Sequence, residues 1–413
     1  MPSPALALLK KHWFFLGVAL VLTLGCLMPN PIAHLSAYTI GPYRLRTWLI
    51  TLIMLLTAFT LPIRNIGAGA KNWLGLLLML AMSYGAYPLL TYGVARTGWW
   101  LQGVDPTTAP LDQWAYGAGL VIIAAVPTTM ASGIIWTRQS GGDDALALVG
   151  MILGLLFSIV LTPLVLSWTL FPLLSKDAVD FAPSGMRTQL IDDLTKLILI
   201  PVITGQLLRI FKPLAQQGDQ YRKEISLLLQ IFVLITIWFS VAGQMATATP
   251  TTPVAGAVAA VAAVVAPPAA PQLPGLGVLA FLIGSTLLIH CATLALGWGL
   301  ALLFRQPAPA VICVGLNGAQ KTLPVALLVL SLLPARWAHS LDAAVWSFIL
   351  VHVTQLSVDA LLIPHFKAWS ERAAAAQAVR MDGGPGSSSV PLTGGTAGSG
   401  GAIAPPAGPE GQK

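Results

Sequence analysis

Charge is scarce in this chain, and cysteine scarcer still. Only 9% of its 413 residues are Asp, Glu, Lys or Arg, against 56% hydrophobic, and the mean hydropathy is +0.78. Soluble domains carry about a quarter charged residues, so this composition excludes an ordinary water-soluble fold. The three cysteines, Cys26, Cys291 and Cys313, each lie inside an apolar stretch with no metal-ligand or redox spacing. That excludes a disulfide scaffold and a thiolate metal centre and leaves them as small core side chains. Two catalytic signatures are also missing: the H-E-x-x-H of a metalloprotease and the G-x-S-x-G nucleophile turn. "SGGDD" at 140–144 falls one glycine short of the G-x-G-D of intramembrane aspartyl proteases, with its aspartates in a loop. An enzyme is therefore not expected.

Long apolar runs are what the chain has in abundance. About ten can be counted between polar or Pro/Gly punctuation. They fall at 13–33, 46–63, 73–95, 117–138, 143–172, 190–211, 224–245, 276–304, 308–333 and 342–364. The expectation is an all-α polytopic membrane protein of about ten transmembrane helices, because about 20 apolar residues cross a hydrocarbon core. The first run is long for a signal peptide and lacks an A-x-A end, so it reads as the first span.

The net charge of +7 then needs no nucleic acid. It is the Lys/Arg excess of cytoplasmic loops, with anionic lipid as a further partner. With the N-terminal residues 1–12 inside, Lys10, Lys11, Arg64, Lys71, Arg209, Lys212, Arg305 and Lys367 gather on the cytoplasmic side, and Arg44, Arg46, Arg96 and Lys176 lie opposite. Both termini are expected in the cytoplasm of a multi-pass plasma-membrane protein, a bacterial inner membrane being the expected setting. Two stretches stand apart. Residues 246–275, rich in Ala, Val and Pro, read as an external loop, and the Gly/Ser/Pro-rich tail 373–413 is expected to be disordered.

Two runs are interrupted. "AAVPTTMASGIIWTRQSGGDD" at 124–144 and "PAVICVGLNGAQKTLPVALLVL" at 309–330 occupy the fourth position of each five-run half. A proline by itself kinks a helix, and Ala131, Ser132 and Gly133 by themselves suit close packing. Broken segments at matching places in two halves point instead to a transporter of inverted repeats with its site at the breaks. Unwound backbone leaves N–H and C=O groups that only protein, water, ion or substrate can satisfy. Half-helix N-termini suit an anion, while free carbonyls and the hydroxyls of Thr128, Thr129, Ser132 and Thr322 suit a cation.

Lys321 lies near mid-span, where a lysine costs about 2.5–3.5 kcal/mol to insert, so it is expected to face the bundle interior with a partner. In the last run His352, Gln355 and Asp359 share one helical face, Asp359 being a candidate partner for a buried cation, and a packing stripe is the other reading. His290 reads as a packing histidine. Asp192, Asp193 and Lys196 read as interfacial, and Asp143 and Asp144 as complements to a helix start. Trp73, Trp136 and Trp238 suit either a cleft or an interfacial belt.

At the two interruptions the chain resembles the bile acid:sodium symporter family, and more closely its branch named after sodium/bile acid cotransporter 7. The resemblance rests on "PTTMASGIIWTRQSGGDDALAL", on Thr162-Pro163 and on "AQKTL", and covers Lys10 to about Lys367. It implies a panel domain from helices one, two, six and seven, and a core domain from three to five and eight to ten. In the core, broken helices four and nine cross, and movement of core against panel gives alternating access. A small organic anion would lie in the cleft between them, with Na⁺ as the coupling ion behind the crossover and no other cofactor.

The resemblance makes Thr128, Thr129, Ser132, Gly133, Asn317, Gln320, Lys321 and Thr322 the candidate substrate and ion site. Ser83, Arg138, His352, Gln355 and Asp359 lie around it, with Arg138 at its inner mouth. Of the family's sodium ligands, Ser132 and Gln320 match. Gly133 stands where the family has asparagine, Leu316 where it has glutamate, Ser83 where it has glutamine, and Ala147 and Met151 where it has hydroxyls. The expectation is therefore that the Lys321 ammonium supplies the positive charge, permanently or as a proton carrier, and that transport is sodium-independent. A non-transporting membrane regulator or scaffold of the same fold is the alternative. A channel suits the broken pair less well. The oligomeric state is left open.

Overall fold

A backbone that leaves water must satisfy its own polar groups, and in the computed structural model the described parts of the expected runs do so chiefly as helix, with the fourth and ninth interrupted. The structure describes residues 4–28, 32, 34–35, 38–61, 66–109, 111–129, 131–174, 183–247, 274–333, 341 and 343–382. The helices that matter here are α1 (Pro4–Leu27), α2 (Leu45–Thr60), α3 (Trp73–Leu101), α4 (Leu111–Ala125), α5 (Ala131–Gln139) and α6 (Asp144–Thr169). They continue as α7 (Gly185–Leu208), α8 (Lys212–Gln220), α9 (Arg222–Thr247), α10 (Leu276–Leu303), α11 (Ala308–Ala319), α12 (Leu323–Leu332) and α13 (Ala344–Asp382).

Six of these segments are long and apolar enough to cross a membrane: α3, α6, α9, α10, the segment Ala308–Leu332 that holds α11 and α12, and α13. The pair α7 and α8, bent by 103°, makes a seventh. Leu16–Leu27, α2 and Trp114–Ala125 are apolar but shorter. The protein is thus an all-α multi-pass membrane protein.

Three local features differ from expectation. Residues Thr39–Ile40 and Tyr43–Arg44 form a minimal antiparallel pair, closed at Gly41 with φ +62°, a value that favours glycine. Tyr43 donates its hydroxyl to Asp193 Oδ1 at 2.8 Å, and burial, then that carboxylate, push its phenol up to about 12. The N-terminal segment is helical from Pro4, and the tail stays helical as far as Asp382, through "RAAAAQAVR", whose alanines favour helix. The expectations for 248–273 and 383–413 fall outside the described residues.

Helices α1, α2, α7 and α9 pack together through small residues. Leu234 fills the space over Gly17, Val241 that over Gly25, and Gly205 lets α7 approach the Leu55 carbonyl. Gln206 Nε2 and Arg209 Nη1 then reach the last carbonyls of α2, at Ala58 (2.6 Å) and Phe59 (2.8 Å). The other group centres on α11 and α12, whose apolar window is 100% buried. There Gly297 of α10 meets Gly315 of α11, and Gly150 of α6 receives Met79 of α3.

Candidate functional site

Three breaks in helical hydrogen bonding converge at the centre of the second group. In α3 the turn Met82–Ala86 is widened into a π-bulge, which frees a carbonyl from the helical ladder. Helix α4 ends at Ala125, because Pro127 cannot continue it, and Thr162 Oγ1 takes up the Ala125 carbonyl at 2.8 Å. Helix α11 ends at Ala319, and α12 restarts after Thr322 with Pro324 in its first turn. The two broken strands touch directly: Thr322 N donates to Pro127 O at 3.0 Å.

Side chains satisfy further groups of the unwound backbone. Gln355 on α13 accepts from Lys321 N at 2.8 Å and donates to Lys321 O at 2.7 Å, pairing with that residue as a neighbouring strand would. Gln320 donates from Nε2 to Asp359 Oδ2 at 2.6 Å. Its Oε1 accepts from Thr129 Oγ1 and, at 3.4 Å, from Ser132 Oγ, which ties the second break to the first.

Lys321 is 0% exposed. Its ammonium donates to Ser83 O, freed by the π-bulge, to Ser83 Oγ at 3.0 Å and to Val126 O at 3.0 Å. The rings of Tyr87 and Tyr84 lie 4.8 and 5.4 Å away, adding cation–π attraction. Asp359 is not its partner: that carboxylate is taken by Gln320 and by His290 Nε2 at 2.9 Å. Helix α10 brings His290 to the break, so it does not merely fill space there. An ionisable residue mid-way along an apolar helix was the signal in the sequence.

Other expected residues divide. Thr128, Thr129, Ser132, Thr322 and His352 line a cavity of about 330 Å³, with Trp136 beside them. Its opposite wall comes from α1, α2 and α9, through Trp13, Phe14, Thr57, Ser226 and Gln230. No pattern in the sequence marked that wall. Thr128 Oγ1 and Trp136 Nε1 have no partner among the described residues. Asn317 is buried and donates to Thr137 Oγ1 and Cys313 O, both at 2.9 Å, while its Oδ1 is unpartnered and faces Gly133. Arg138 is not at the crossover. Its side chain is 64% exposed and bonds Asp144 at 2.6 Å, and Asp143 caps α6 through Leu146 N at 2.9 Å.

A sequence model of the SBF-like CPA transporter family matches residues 12–368. The chain is 27% identical to "Probable sodium/metabolite cotransporter BASS4, chloroplastic" of Arabidopsis thaliana, over 84% of this chain and 71% of that one. It is 26% identical to "Sodium/bile acid cotransporter 7" of Danio rerio, over 50% and 56% of the two chains. It is also 27% identical to "Solute carrier RCH1" of Saccharomyces cerevisiae, over 38% and 34%. The matched stretch thus spans about a third of the yeast relative and a little over half of the zebrafish one.

Proposed function

Since the chain belongs to the SBF-like CPA transporter family, we propose that it carries a small organic anion across the plasma membrane by alternating access, without sodium. In this reading ten helices span the membrane as two inverted five-helix repeats with both termini cytoplasmic. Helices α1, α2, α7 and α9 form the panel, the rest the core, and the cavity between them holds the substrate.

One observation carries the anion assignment. The helices α5 and α12 both begin at the breaks, so two positive dipole ends are directed at one cavity wall. Thr128 and Trp136 line that wall, and their buried hydroxyl and indole N–H, unpartnered among the described residues, are spare donors beside it for a carboxylate or sulfonate. Gln230 and Ser226 across the cavity add polar contacts from the panel, and apolar Trp13, Ile53, Met54 and Leu229 suit a hydrocarbon body.

The residues present do not fit Na⁺. Leu316 offers no oxygen and packs in an apolar cluster with Ile312 and Leu294. Met151 aims its sulfur at Gly133, and Ala147 is packed among leucines. Both Ser83 oxygens are engaged by Lys321. Among the described residues the unpartnered buried acceptors at the crossover, Asn317 Oδ1 and the Thr128 hydroxyl, are too few for a hard cation that wants a shell of oxygens. The Lys321 ammonium thus provides a fixed positive charge at the crossover.

The test is uptake into proteoliposomes, with taurocholate and pyruvate as steroidal and keto-acid probes. Flux unchanged when Na⁺ is replaced by choline is the expected result. Strict dependence on Na⁺ overturns the reading.

A further inference from the structure

The contacts of His290 hold one proton more than a neutral histidine and an ionised aspartate supply. His290 is 1% exposed and Asp359 is 0% exposed. His290 Nδ1 lies 3.1 Å from the Ala319 carbonyl, which only accepts, so Nδ1 bears a hydrogen. In a neutral ring Nε2 is then a bare lone pair, yet it stands 2.9 Å from Asp359 Oδ1. Two acceptors do not hold that distance. A proton lies between them, either on the ring facing a carboxylate or on the carboxyl facing a neutral ring, and it belongs to the pair.

The other carboxylate oxygen joins the pair to the cavity. Asp359 Oδ2 accepts from Gln320, and Gln320 accepts from Thr129 and Ser132 on the cavity wall. On its other side the pair holds Ala319 O, the last carbonyl of α11 before the break. Proton loss therefore costs His290 one of its two contacts and loosens the broken helix.

The surrounding titratable groups set the charge. From the break comes Lys321, its ammonium turned onto Ser83 and Val126. From α3 come Tyr84 and Tyr87, both against that ammonium, from α11 Cys313 bonded to Met79 and Asn317, and from α13 His352 bonded to Gln355. Asp359 is the only buried carboxylate among the described residues. With its proton the His290–Asp359 pair is neutral and Lys321 leaves the crossover at one positive charge. Without the proton the pair is an anion that cancels Lys321.

We propose that His290 and Asp359 form a proton-binding site that couples anion movement to proton movement in the same direction. An anion in the cavity is attracted by a net positive crossover only when the pair is loaded, so each favours the other's binding by the same factor. One monoanion and one proton cross together, and the charge moved is zero. The coupling rests on the anion-transport reading above; the proton site does not.

The test takes the full chain in lipid films, with infrared difference spectra recorded between acidic and alkaline buffers. The expected result is a joint carboxyl and imidazole signal that Asp359→Asn and His290→Gln both abolish. Asp359→Glu, which keeps the carboxyl, retains the signal with a moved midpoint and guards against loss through misfolding. Identical spectra from wild type and all three variants overturn the site. Vesicles enclosing pyranine, with an inward taurocholate or pyruvate gradient, then test the coupling. Wild type acidifies the lumen and Asp359→Asn loses that proton movement. Anion flux with no proton movement in wild type overturns the coupling. The infrared signal without any anion flux supports the site and counts against the transport reading alone.

Discussion

Lys321 is the residue on which transporter and scaffold readings part. Its ammonium satisfies two backbone carbonyls that the helical ladder has released, and removal strands both, at about 1–3 kcal/mol each. Lys321→Ala is expected to lower the unfolding temperature in detergent and to weaken stabilisation by taurocholate or pyruvate at least about tenfold in ligand concentration. A stable variant with full ligand response favours the scaffold. Gly133 is the second sensitive position. A methyl group there would clash with Asn317 Oδ1 and meet Met151 Sδ at 3.0 Å. Gly133→Ala is expected to destabilise by about 1–3 kcal/mol, read as a lower thermal midpoint. Lys321 was legible in the sequence because a mid-span lysine has one bland explanation and ten apolar neighbours on each side argue against it. Its partners were not legible. They are backbone carbonyls at Ser83 and Val126, and no residue type announces a free carbonyl.

At the scale of elements, the proline and glycine punctuation that signalled two breaks gave their places to within a few residues. The π-bulge at Met82–Ala86 contains Gly85 and is followed by Pro88, but the apolar run 73–95 continues through them, so the sequence read as one unbroken span. The same limit hid the cavity's far wall: Ser226 and Gln230 differ from other polar residues of α9 only in the direction they point. Asp143, by contrast, carried a clear helix-start signature, and it accepts from Leu146 N at the head of α6. Asp143→Ala is expected to cost about 0.5–2 kcal/mol, measured by thermal unfolding, with Asn at the same position recovering most of it.

For the whole molecule, alternating access requires the two helix groups to slide, and one contact between them offers a lock. Thr47 of α2 and Ser331 of α12 bring their hydroxyls to 3.4 Å. In a chain with Cys26, Cys291 and Cys313 replaced by alanine, Thr47→Cys with Ser331→Cys is expected to cross-link under mild oxidant and halt flux, which reductant restores. Unchanged flux with the cross-link formed counts against relative movement.

The complete burial of the apolar window within Ala308–Leu332 bears on biogenesis. No part of its apolar window meets lipid in the finished protein, and its mean hydropathy of 1.4 is the lowest among the six span-length helices. Such a segment leaves the insertion machinery with little reason to enter the bilayer alone, and its lysine adds to the reluctance. It must be handed from the translocon to helices already in place, with α10 as its first host. Damage to that early helix pairing would surface as a degraded protein before any defect in carrying an anion were seen.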